Sequence, residues 1–226
     1  MNFTLNLTIK DADLRILAAS GLRIAIARPV GNGAPNVAWL VFDPFMGNTV
    51  EWSEEYGLYA STTDVKQGAR ILKLSELPPK VADGKSYFFG RDQTPVFDPG
   101  DDPCALGSFQ VENLMAVGSY PQLTFGLTQK AIINGRAVDA SCINATMTPA
   151  QMTAVFTPRA TVYVWLQNIY PSGAVITDVV SKTTQVEFNG GVTENTLEYD
   201  AAQGCFVAAA NGKRGKVSIH KPTLVY

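Results

Sequence analysis

The only histidine in the chain, His220, stands near its end in Val217-Ser218-Ile219-His220-Lys221-Pro222. A Ser-His-Asp or Cys-His mechanism has to run through it, because activating a hydroxyl or thiol needs a base within hydrogen-bond reach. No Gly-x-Ser-x-Gly elbow accompanies it, and the alternation around it reads as a last strand with His220 opposite Ile219. Histidine-based metal centres are excluded by count. The three cysteines, Cys104, Cys142 and Cys205, are widely spaced and contain no Cys-x-x-Cys pair from which a zinc or redox site could start. Free thiols, mostly buried, are the expectation. Glycoside hydrolysis needs only two carboxylates, and Glu51, Glu54 and Glu55 beside Trp52 offer candidates, although Glu51-x-x-Glu54-Glu55 reads better as a solvated turn. Asp98-Pro99-Gly100-Asp101-Asp102 is an oxygen-rich stretch of the kind calcium favours. It lacks EF-hand spacing, and ordinary turn chemistry accounts for the same residues. The chemistry of the chain therefore points away from an enzyme.

Binding through aromatic surfaces is the remaining chemistry. On a β-sandwich, an exposed Trp or Tyr beside amides and acids can hold a sugar: the ring covers C–H faces and the polar groups take the hydroxyls. Trp165-Leu166-Gln167-Asn168-Ile169-Tyr170-Pro171-Ser172-Gly173 is the best such stretch, since a strand exits there into a loop carrying Gln167, Asn168 and Tyr170. Trp52 and Tyr56 form a second candidate group, although Trp52, like Trp39, also suits a core. The ligand set read from the sequence is thus Trp165, Gln167, Asn168, Tyr170, Trp52 and Tyr56, with Asp98, Asp101 and Asp102 as a calcium candidate. The loops Asn32–Asn36, Trp52–Tyr56 and Gln167–Ser172 are the natural places to test.

These side chains must be positioned by strands. Phe3, Leu5, Leu7 and Ile9 alternate with Asn2, Thr4, Asn6 and Thr8, the period of a half-buried strand. The one convincing helix spans 11–20, with Asp11 or Asp13 as its cap and Gly21 as its stop. Leu22–Arg28, Val37–Phe42, Thr49–Trp52, Tyr56–Ser61, Ala69–Leu74 and Ser86–Phe89 read as further strands. Asn134-Gly135, Asn189-Gly190 and Asn211-Gly212 lie between apolar runs and signal hairpins. Lys213-Arg214 and Lys216 then sit at an exposed hairpin tip. Strands this closely spaced, with no helices between them, argue for sandwiches or barrels.

An internal repeat refines this picture. Thr49-Val50-Glu51-Trp52 aligns with Thr153-Ala154-Val155-Phe156, Leu58-Tyr59 with Val162-Tyr163, and Gly68-Ala69-Arg70-Ile71 with Gly173-Ala174-Val175-Ile176. The stretch from Thr94 to Pro103 carries three prolines and a glycine in ten residues and is read as irregular. The expected fold is all-β: two related β-sandwich halves, residues 1–97 and 108–226, joined by a Pro/Gly/Asp-rich connection over 98–107, with one short N-terminal helix.

Composition bounds the partners. Of the 226 residues 17% are charged and 46% apolar, and the net charge is −2 without any basic run. A nucleic-acid surface needs a basic stripe to release counterions from phosphate, so nucleic acid is not an expected partner. No run reaches the ~18–20 apolar residues of a membrane helix, and the N-terminus reads as a strand rather than a signal peptide. The expected location is cytoplasmic, or outside the cell by a leaderless route. In low charge, all-β pattern and few cysteines the chain resembles small leaderless lectins and cytolysin-like β proteins, a likeness that transfers no residues. The sequence leads to a non-enzymatic, lectin-like binder of glycans or lipid headgroups at the sandwich ends. The alternatives are a self-assembling structural protein, whose strand edges would associate, and a membrane-active toxin whose alternating strands line a barrel.

Overall fold

A computed structural model describes residues 1–179, 181–210, 215–221 and 223–224, apart from the side chains of Asp101, Thr223 and Leu224. Asn211-Gly212 and Lys213-Arg214 lie outside the described residues. Nearly every element is a strand, in agreement with the all-β expectation. The first stretch of chain contains β1 (Asn2–Thr8), α1 (Asp11–Ala19), β2 (Arg23–Ala27), β3 (Val37–Ala38), β4 (Leu40–Phe42), β5 (Gly47–Ser53), β6 (Tyr56–Ser61), β7 (Lys73–Leu77), β8 (Lys85–Phe89) and β9 (Phe97–Pro103). There follow β10 (Phe109–Asn113), β11 (Gln122–Ile133), β12 (Arg136–Cys142), β13 (Thr146–Pro149), β14 (Thr153–Phe156), β15 (Thr161–Gln167), β16 (Ala174–Val175), β17 (Asp178–Val179), β18 (Thr183–Glu187), β19 (Glu194–Asp200), β20 (Cys205–Ala208), β21 (Val217–His220) and β22 (Thr223–Leu224).

Side-chain alternation explains the main strands. Phe3, Leu5 and Leu7 of β1 are buried and the polar residues between them are not, as a two-residue period on a sheet with one wet face requires. Helix α1 tucks Leu17 into the core. Its expected aspartate cap is not made: Lys10 occupies the cap position with extended backbone, and Asp11 instead pairs with Arg15 one turn on. Asp11 and Asp13 still place negative charge in the first turn, where the helix dipole favours it. Gly21, at φ +64°, ends the helix as foreseen.

The strands pair in four principal ladders. One runs β5-β1-β19-β20 and a second β14-β10-β8-β9; a third runs β4-β2-β15-β18-β21 and a fourth β13-β11-β6-β7, with β12 folded back on β11; the first and fourth join into one nine-stranded sheet where β5 pairs with β11. Asn134 and Gly135 both have positive φ (51° and 76°) at the β11–β12 hairpin, matching the Asn-Gly expectation. Asn189-Gly190 differs: it joins β18 to β19, which lie in different ladders, so it forms no hairpin. The expected strand Ala69–Leu74 divides: Arg70 makes an isolated antiparallel bridge to Ala174, and the regular strand β7 runs over Lys73–Leu77. Phe97–Pro103, read as irregular, is strand β9 on the edge of its sheet. The prolines are tolerated there because an edge strand has one side without a partner to satisfy.

The inner faces share one apolar core that includes Phe3, Trp39, Trp52, Phe89, Phe125 and Phe206. All three cysteines are free, Cys142 and Cys205 buried and Cys104 half-buried. Burial pushes the Cys142 thiol from 9.0 up to about 12, and the neighbouring fully buried Tyr59 is raised for the same reason. The unfolded chain loses this thiol proton near 9.0 and the folded chain only near about 12. Its stabilising contribution is therefore complete below pH 9 and disappears as the pH climbs toward 12. Urea unfolding at about pH 10.5 should show about 2 kcal/mol less stability than at about pH 8, at 1.36 kcal/mol per unit. Cys142→Ala should shrink that difference; an unchanged difference would assign it to other groups.

Candidate functional site

Strand β15 lies between β2 and β18, and its alternation sorts side chains onto two faces. Val162, Val164 and Leu166 enter the main core, while Tyr163 and Trp165 join a smaller apolar cluster with Ala25, Ala27, Ala38, Val41 and Ile176. Ala25 and Ala27 are the direct neighbours of Trp165 and Tyr163 on β2. Their small side chains leave room above the sheet, which a larger pair would fill. Across the other edge, Gln185 of β18 lies opposite Tyr163, and His220 of β21 lies opposite Thr183.

A cleft of about 220 Å³ opens over this face, lined by Ala34, Pro35, Tyr163, Trp165, Ile176, Val179, Thr183 and His220. Trp165 is 4% exposed and forms part of the lining, whereas Tyr163 is half-buried and His220 exposed. The Tyr163 hydroxyl donates to Gln185 Oε1 at 3.1 Å, and His220 Nε2 lies 2.8 Å from the same oxygen. The Tyr163 and His220 rings are 6.0 Å apart, tilted by 37°. Burial, helped by the negative Glu187, raises the Tyr163 hydroxyl above its ordinary value, so it stays a neutral donor at physiological pH. The walls are mainly aromatic and aliphatic, with the Tyr163 hydroxyl, Thr183 and His220 as their polar groups. That arrangement suits a small ligand with an apolar face and a polar rim. Among the described residues the lining of the cleft contains no carboxylate.

The residues singled out in the sequence are dispersed. Trp165 alone lines this cleft. A smaller hollow of about 20 Å³ on the far side of Trp165 is lined by Gln167, Ile169, Tyr170, Asp178 and others. Gln167 is buried there and its side chain is occupied by its own turn: Nε2 donates to Tyr170 O, and Oε1 accepts from Ile169 N and Tyr170 N. Asn168 is exposed. Tyr170 accepts from Gln67 Nε2 at 2.9 Å and covers Gly68. Trp52 and Tyr56 are 5% and 4% exposed and flank the buried guanidinium of Arg28, at 5.8 and 5.7 Å. Trp52 also reaches the wall of a separate cleft of about 390 Å³ with Glu51, Glu55 and Lys130. Asp98 and Asp102 lie on β9, with an irregularity in its pairing with β8 between Pro99 and Pro103, and the Asp101 side chain lies outside the description. Among the described residues, no group of three or more His, Cys, Asp or Glu converges on a point.

Sequence reasoning set His220 aside and did not single out Thr183 or Gln185, whereas Ala34 and Pro35 lie in the loop Asn32–Asn36 that it named for testing. Strict alternation through β15 could have put Tyr163 with Trp165 on one face. The contribution of β21 could not be read locally, because it arrives from 35 residues away in sequence, the separation of Gln185 and His220. Among the described residues no helix is long and apolar enough to cross a membrane. No curated protein and no solved structure matches the chain. A family model described as RhiA matches residues 27–210, a span that includes most of the cleft and more than half of the chain. The chain belongs to the RhiA family.

Proposed function

We propose that the protein is a non-enzymatic binding protein that takes a glycan unit into the Trp165 cleft. The observation that supports this most directly is the pairing of aromatic walls, Tyr163 and Trp165, with the polar side chains of Thr183 and His220 in one cleft. Sugar C–H faces lose water against rings while their hydroxyls need donors and acceptors held in place. His220 can donate or accept according to its tautomer, and Gln185, whose Oε1 meets both His220 and Tyr163 while its Nε2 donates to Glu187, holds the two rings in place. A volume near 220 Å³ fits a single ring rather than a long chain, so a terminal or branch sugar is the expected epitope. Binding would proceed without bond cleavage.

Ala34 is exposed at the rim and can be enlarged without disturbing the core. Ala34→Phe should abolish binding to any glycan retained by the wild type on an array, with the melting temperature within about 2 °C of wild type. His220→Ala should weaken binding about tenfold, the usual scale for one lost hydrogen bond in a site. Wild-type protein that retains no glycan, with or without calcium, would overturn the proposal.

A further inference from the structure

The ladders repeat each other in order and direction. In β5-β1-β19-β20, β1 is antiparallel to β5 and parallel to β19; in β14-β10-β8-β9, β10 is antiparallel to β14 and parallel to β8. Phe3 faces Trp52 in the first, and Phe109 faces Phe156 in the second. The other two ladders correspond in the same way: Tyr59 lies between Gly126 and Glu76, and Tyr163 between Ala27 and Gln185. Leaving aside β21 at one end and β12 folded on β11, each of the four ladders takes two neighbouring strands from before residue 104 and two from after it, and β5 pairs with β11 between the first and the fourth. The chain therefore sorts spatially into 56–156, which supplies β6 to β11, β13 and β14, and 2–53 with 161–208, which supplies β1, β2, β4, β5, β15 and β18 to β20.

The junction between these sets has the signature of a two-fold axis. Gly68-Ala69-Arg70-Ile71 runs antiparallel to its own repeat, Gly173-Ala174-Val175-Ile176: Gly68 N donates to Val175 O at 2.9 Å, Val175 N to Ala69 O at 2.9 Å, and Ile71 N to Gly173 O at 3.2 Å. A segment that pairs with its own copy is the mark of an isologous contact. Nearby, Arg28 from one set reaches Gln129 of the other, Trp39 Nε1 donates to Gln129 O, and Gln129 Nε2 returns to Ser53 O at 2.6 Å.

We infer that the two sequence repeats exchange their second parts, so that residues 56–156 form one complete sandwich unit whose partner, across the surface around Arg28 and Gly68–Ile71, is a second copy of the same unit assembled from both ends of the chain. The Trp165 cleft then belongs to the discontinuous copy and the strand β21 added to its edge, with Ala34 and Pro35 supplied by the first part of the chain and the remaining walls by the last.

Native-state hydrogen exchange on the full chain in sub-denaturing urea tests this, because amides that open together share one denaturant dependence. The expected result is one set of amides over 56–156 and another over 2–53 together with 161–208. Gly126→Ala, which crowds only the inserted unit, should speed exchange of the first set about a hundredfold and that of the second less than tenfold. If that variant does not fold, the wild-type sets decide alone. One set common to all strands, or two sets dividing at 98–107, overturns the inference.

Discussion

Arg28→Ala should lower stability by about 3–5 kcal/mol, the range for removing one member of a buried charged network. The guanidinium is 1% exposed and lies 5.9, 5.8 and 5.7 Å from the ring centres of Trp39, Trp52 and Tyr56. It donates to Gln129 Oε1, to Glu54 Oε1 at 3.1 Å and to Arg159 O at 2.8 Å. Deleting it leaves three aromatic faces around a void and strips the buried Gln129 oxygen and the Arg159 carbonyl of a donor. Lysine would not substitute, since an ammonium lacks the planar fork that reaches three acceptors at once. For a chain of this length the loss corresponds to a fall of about 10 °C in melting temperature. Glu54→Gln should also be destabilising, because it leaves the buried guanidinium without its paired carboxylate, although the amide oxygen can still accept from Arg28. A fall below about 3 °C for Arg28→Ala, seen by calorimetry, would show that the aromatic cage closes by itself.

The second large effect comes from a single methyl group. Gly126→Ala would place a Cβ 2.2 Å from the Asn144 carbonyl oxygen and 2.7 Å from Cε1 of Tyr59. Neither can yield cheaply: the Tyr59 hydroxyl donates to that same carbonyl at 2.6 Å, and Asn144 Oδ1 accepts from Leu127 N at 2.8 Å. Overpacking of this kind costs about 3 kcal/mol or prevents folding outright. Gly33→Ala is the matched control, because nothing lies within 4 Å of its added methyl, and it should change the urea midpoint negligibly. Equal midpoints for the two variants would mean that β11 can shift away from Tyr59.

Local patterns in the sequence reached as far as single strands and turns. The alternation in Asn2–Thr8, the helix after it and the Asn134-Gly135 hairpin each depend on neighbours within a few residues, so they were readable. The aligned positions of the proposed repeat also have comparable pairings: Phe3 lies opposite Trp52 and Phe109 opposite Phe156, and Tyr59 and Tyr163 each sit in the middle of a ladder. Which strands meet was not readable. Parallel pairing of β1 with β19 joins Leu5 to Asn195, and nothing local to either encodes the other. The candidate site suffered from the same gap. Trp52 and Trp165 look alike as exposed-or-core aromatics, and only the long-range arrival of Arg28 beside one and His220 near the other separates a core tryptophan from a wall of a cleft. Gln167 looked like a ligand-binding amide because its spacing to Tyr170 was right. That same spacing lets it tie the turn to itself.

Strand β9 bears on how the molecule behaves when crowded. Its two prolines, Pro99 and Pro103, sit opposite Tyr87 and Lys85 on the rim of a sheet, and neither has an N–H to offer a newcomer. A foreign strand sliding alongside would meet gaps in the row of donors it needs, so its ladder could not propagate. The residues that look in sequence like a broken connection thus act as a stop on edge-to-edge stacking, protecting this border of the fold from growing into a fibre.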